Sequence, residues 1–156
     1  MSVEWITPKT DWSANYNADG VFTGDFFNVW DYNRIKNNLL YLRELGSQLF
    51  YNLPEIVVGV DKHLPDNENP DFDNDNFFAD EINLIEDAVK ILDDAIGIFN
   101  HGEKQTFYDN GRFIDYNELN RIERAELELY VNIVNSIAAR RRLSFKLGTR
   151  PGIIRV

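Results

Sequence analysis

The chain of 156 residues contains no cysteine. Disulfides, Cys-ligated zinc, iron–sulfur centres and thiol nucleophiles are excluded with it. Histidine is nearly as scarce. His63 and His101 both fall in expected loops, and neither has the spacing of a zinc motif. Walker, GxGxxG and GxSxG patterns are missing. Nothing singles out one catalytic pair among the 26 acidic side chains. No enzyme activity, catalytic residue or cofactor is therefore expected. No apolar run approaches the roughly 18–20 residues that span a bilayer. The start, Met1-Ser2-Val3-Glu4-Trp5, lacks the basic residues and apolar core of a signal peptide. The expected location is the cytoplasm, or a particle released by lysis, and no membrane partner is expected.

Basic residues are the last shortage, 16 against 26 acids, for a net charge of −10. Phosphate repels such a surface, so nucleic acid is not an expected partner. The hydrophobic fraction is 44% and the aromatic fraction 13%, enough for a packed core. A chain of this length buries roughly 70% of its unfolded surface in one domain.

The charge is unevenly spread. Residues 140–156 carry Arg140, Arg141, Arg142, Lys146, Arg150 and Arg155 and no acid. The preceding residues hold ten basic and 26 acidic side chains, net −16. Arg140, Arg141 and Arg142 suit a helix C-terminus, whose dipole favours cations. They also suit docking on an acidic surface, such as the body of a neighbouring copy.

The apolar pattern divides the chain into an arm at 1–27, a helical bundle at 28–142 with an acidic loop at 61–76, and a basic tail at 143–156. The expected helices cover 28–50, 79–100 and 116–142. Ile82, Ile85, Val89, Leu92, Ile96 and Phe99 show the clearest helical spacing. Ile56-Val57-Val58 suggests a short strand. Leu143, Phe145 and Leu147 alternate before Arg150-Pro151-Gly152, which suggests a C-terminal β strand or short hairpin.

The three helices are related copies. A shift of 50 places Phe27 on Phe77, Asn33 on Asn83 and Ile35 on Ile85; a further shift of 37 reaches Ile114, Asn120 and Ile122. The fold class is accordingly mainly α, a three-helix bundle. Asn28 with Asp31, and Asp115 with Glu118, have the spacing of capping boxes. Phe27 and Ile114 stand where a hydrophobic staple would. The second copy has Phe78 at its cap, so Asp75 or Asn76 is expected to help there. The recurring Asp, Asn and Arg are accounted for by local capping and pairing.

Asp71, Asp73 and Asp75 alternate like the first ligands of a calcium loop. The match then fails, with Asn76 at the Gly position and Ile82 at the bidentate Glu position. A solvated acidic loop is the plainer expectation.

Thr10-Asp11-Trp12, Asp25-Phe26-Phe27-Asn28 and Asp31-Tyr32-Asn33-Arg34-Ile35-Lys36-Asn37-Asn38 resemble a pattern of small tail, baseplate or fibre-associated proteins of phages and prophages of Gram-positive bacteria. Asn120-Arg121-Ile122-Glu123 resembles its second instance. The resemblance covers about the first 45 residues, with a weaker echo near 113–124. It implies a non-enzymatic virion component that meets other virion proteins or copies of itself. A homo-oligomer is expected, with the virion as its final location. Trp5, Trp12, Tyr16 and Phe22 in the arm are either interface anchors or cover for the chain's own bundle. Arg140, Arg141, Arg142, Phe145 and Arg150 are the tail's interface candidates. The alternative function is a small binding module for a cation or glycan, through the acidic loop and exposed aromatics.

Overall fold

The computed structural model describes residues 3–64, 76–96 and 101–148, the last five by their backbone only. Three helices form the body: α1, Val29–Gly46; α2, Ala79–Ile96; and α3, Tyr116–Gly148. The first and third start on a polar cap. Asn28 accepts from Trp30 N and Asp31 N, while Asn28 N donates back to Asp31 at 3.2 Å. Asp115 and Glu118 make the same exchange on α3. On α2 the return half is formed, Phe78 N to Glu81 Oε2 at 3.2 Å, while the phenylalanine side chain has no acceptor for the forward half; Asp75 lies outside the described residues.

The helices run parallel and in register. Their starts meet at one end, where Phe27, Phe77 and Phe113 lie with ring centroids 5.2–6.3 Å apart. At the other end Gly46 faces Leu53, Ile96 and Ile133, and a side chain there would sit 2.9 Å from Leu53. Equivalent positions of the repeat build buried layers: Tyr32, Ile82 and Leu119; Ile35, Ile85 and Ile122; Leu42, Leu92 and Leu129. Full burial of each aliphatic side chain contributes about 1.5–3 kcal/mol.

Parallel helices need return paths, and here these paths are extended lead-ins lying in the grooves between helices. Residues 53–62 climb the α1/α2 groove, 101–107 the α2/α3 groove, and 3–12 the α1/α3 groove. One asparagine holds each of them by its main chain. Asn33 bonds Lys62 N and O, both at 2.8 Å. Asn83 bonds Phe107 N and O at 2.8 and 2.9 Å. Asn120 bonds Trp12 N and O at 2.8 and 2.9 Å. Each helix thus grips the lead-in of the next, and α3 grips the lead-in of α1. The three units close into a ring.

Three boundaries differ from the sequence pattern. Ile56-Val57-Val58 pairs with no strand among the described residues; Arg43 and Asn33 bond the main chain on either side of it, at Leu53, Pro54 and Lys62. α1 stops at Gly46, which packs closely against Leu53, and 47–49 form a turn. Residues 143–148, expected as the start of a strand, continue α3. Ala138, Ala139 and the arginines favour helix, and Gly148 is the first breaker after Tyr116. Residues 149–156, including the remainder of the expected strand or hairpin, lie outside the described residues.

Candidate functional site

A buried polar cluster lies where the arm crosses α3. Glu123 is fully buried and accepts four hydrogen bonds. Trp12 Nε1 and Arg34 Nη2 reach Oε1 at 2.8 and 2.7 Å. Lys9 N and Arg34 Nε reach Oε2 at 2.6 and 3.2 Å. Arg34 also holds Asp31 at 2.8 Å. A carboxylate so fully occupied is a clamp, with no lone pair left for chemistry.

The repeat places a second such pair between α3 and α2, Arg121 with Glu86. Burial raises the Glu86 carboxyl above its ordinary range, and Arg121 opposes that shift. The third place, between α2 and α1, holds Leu84 and Lys36. Both partners are replaced there, and Lys36 turns to Asp61 at 2.5 Å. A groove of about 490 Å³ opens beside Glu86, Lys90, Asp93, Lys104 and Arg121. Four of its neighbouring carboxylates already face a cation or histidine: Glu86 with Arg121, Asp87 with Lys104, Asp94 with Lys90, and Asp93 with His101. His101 also meets Glu128 at 2.9 Å, tying the α2/α3 lead-in to α3. Among the described residues, no group of three or more His, Asp or Glu is arranged to hold a metal ion. Asp71, Asp73 and Asp75 lie outside the described residues, while His63 is exposed.

The arm's aromatics divide. Trp12 is 4% exposed and belongs to the core, 6.1 Å from Phe27. Trp5 stacks on Tyr130 at 4.2 Å and tilts against Tyr41. Tyr16 and Phe22 form a small hairpin across one β-bridge, and Phe22 meets Phe26 at 5.0 Å. Tyr16 and the helix-start residue Trp30 are each 67% exposed. Phe26, Tyr108, Phe113 and Tyr116 are exposed near the same end of the bundle.

At the opposite end α3 overruns its siblings. It has 33 residues against 18 in α1 and in α2. The excess amounts to about 22 Å of helix beyond the last shared layer. Arg140, Arg141, Arg142 and Leu143 are exposed on it. The side chain of Phe145, and Arg150 as a whole, lie outside the described residues. Among those residues no helix is long and apolar enough to cross a membrane.

The repeat signalled the helices but not the asparagine clamps or the buried Glu126. A signal for the clamps exists. Asn33, Asn83 and Asn120 each occupy the fifth helical position, too deep to serve as caps. Asparagine is a poor helix former, so its recurrence there needs another partner. No family model, curated protein or solved structure matches the chain.

Proposed function

We propose that this chain is a non-enzymatic structural component of a phage or prophage tail or baseplate region, acting through protein–protein contacts. The observation that carries this reading is the unlike character of the two ends. One end presents exposed aromatics, and at the other a basic stretch of α3 extends past the shorter α1 and α2. An isolated helix of about 15 residues is marginal in water. A partner covering the overhang would stabilise it, and three adjacent arginines favour an acidic one. The acidic body of a second copy meets that requirement. Head-to-tail contact of this kind builds rings or filaments. The motif resemblance over the first 45 or so residues points to the same class of protein.

Sedimentation tests the proposal. The intact chain is expected to associate with rising concentration, and R140E/R141E/R142E to remain monomeric with unchanged helicity. A monomer at every concentration, with no acidic virion protein bound, would sink the reading. The second reading, a cation- or glycan-binding module, draws on the exposed Tyr16 and Trp30. It predicts glycan binding that W30A abolishes, or a calcium-dependent thermal shift.

A further inference from the structure

The core layer formed by Leu39, Val89 and their third equivalent is interrupted, because the third residue is Glu126. Its side chain is fully buried, with 0% exposure. Oε2 accepts one hydrogen bond, from Asn38 Nδ2 at 3.1 Å, and Oε1 has no partner. Asn38 is shared. Its Nδ2 also donates to Ile6 O at 2.8 Å, and its Oδ1 accepts from Ile6 N at 3.1 Å. A single side chain therefore joins the buried acid to the main chain of the N-terminal arm.

The surroundings favour the neutral acid. α3 contributes Glu123, a like charge one turn away. α1 contributes Arg34, already bonded to Glu123 and Asp31. The arm contributes Lys9, whose ammonium sits on Asp11 and Asp25 and whose N–H is on Glu123. α2 contributes apolar Val89 at this layer. An ionised carboxylate with one hydrogen bond in such a place is costly, whereas a carboxylic acid is tolerated. Burial, reinforced by Glu123, raises the Glu126 carboxyl well above its ordinary range.

We infer that Glu126 is a proton-controlled latch for the arm. While it holds its proton, residues 3–12 close the α1/α3 groove over it. When it ionises it requires water, and the arm is the cover that Asn38 joins to it directly, through Ile6 N and O. The three helices stay together. For an acid whose value is raised in the closed state, closure is strongest at low pH. It weakens as pH rises from the open-state value through the closed-state value.

Hydrogen exchange of the full chain from about pH 5 to about pH 9, corrected for intrinsic rates, tests the latch. The protection of the Ile6 and Lys9 amides is expected to fall by about tenfold or more across that range, while Ile85 in α2 keeps its own. E126Q should hold the two arm amides at a constant protection. E126L, which restores the residue type of Leu39, should do the same and provides the reading if the glutamine variant folds poorly. Wild-type arm protection that is flat with pH would overturn the latch. So would the same pH profile in E126Q and wild type, or simultaneous loss of protection in the arm and α2.

Discussion

The α1/α3 groove and the α1/α2 groove are built on one plan and differ in what they bury. In both, an asparagine at the fifth helical position holds an extended lead-in by its main chain. In the first, an Arg34–Glu123 pair sits beneath the lead-in, fully bonded and out of water. In the second, the corresponding residues are Leu84 and Lys36, and Lys36 reaches out to a solvent-facing Asp61. The comparison teaches that main-chain clamping is the shared element of the fold. The Arg–Glu pair is an addition that two grooves have; in the third, a buried Lys62 from the lead-in meets Glu81 of α2 at 2.7 Å instead.

The largest effect should come from E123A. It removes two hydrogen bonds of Arg34 and the partner of the Trp12 indole N–H and the Lys9 amide at once. Breaking a buried pair this way costs about 3–5 kcal/mol. K36A, at the equivalent position of α1, should cost about 1 kcal/mol, since its partner is mostly exposed. Urea unfolding of both variants checks the difference, and equal losses would end the distinction between the grooves.

A middle-sized effect is expected from the clamps. N83A and N120A each remove two main-chain hydrogen bonds, for about 1–3 kcal/mol. The Phe107 lead-in is held by Asn83 at one end and by Asp93 and Glu128 through His101 at the other, so N83A should lower global stability. Asn120 holds the arm at Trp12, three residues from Lys9, so N120A should also speed exchange at Ile6 and Lys9. Unchanged arm exchange in N120A would break that contrast.

The smallest effect is the restoration of the missing pair. L84R/K36E places Arg and Glu where the other two grooves have them. A double-mutant cycle should show favourable coupling of about 1 kcal/mol between the two changes. Coupling indistinguishable from zero would mean that the α1/α2 groove lacks the geometry and not only the residues.

Much of the body was legible because its signals are local. The spacing from Ile82 to Ile96 and the pairs Asn28/Asp31 and Asp115/Glu118 depend on residues within a turn or two of each other. The parallel course was not legible, since helix direction depends on where 53–62 and 101–107 run, and these stretches carry little periodicity. Asn33, Asn83 and Asn120 read as local helix-start residues, yet their partners are 29, 24 and 108 positions away. Glu126 was hidden for the opposite reason. It lies in a helix rich in solvated acids, and only the layer it shares with Leu39 and Val89 shows that it faces inward. The alternation of Leu143, Phe145 and Leu147 was misleading, because a helix with no breaker before Gly148 continues through it.

A body that nearly repeats every third of a turn poses a problem of orientation for anything that meets it end-on. By shape alone, a partner finds three almost interchangeable ways to sit. The overhanging α3 and the altered Leu84/Lys36 site remove that degeneracy, as a key's single notch does. One orientation is marked, and a partner reading those features fixes its angle about the bundle axis as well as its position along it.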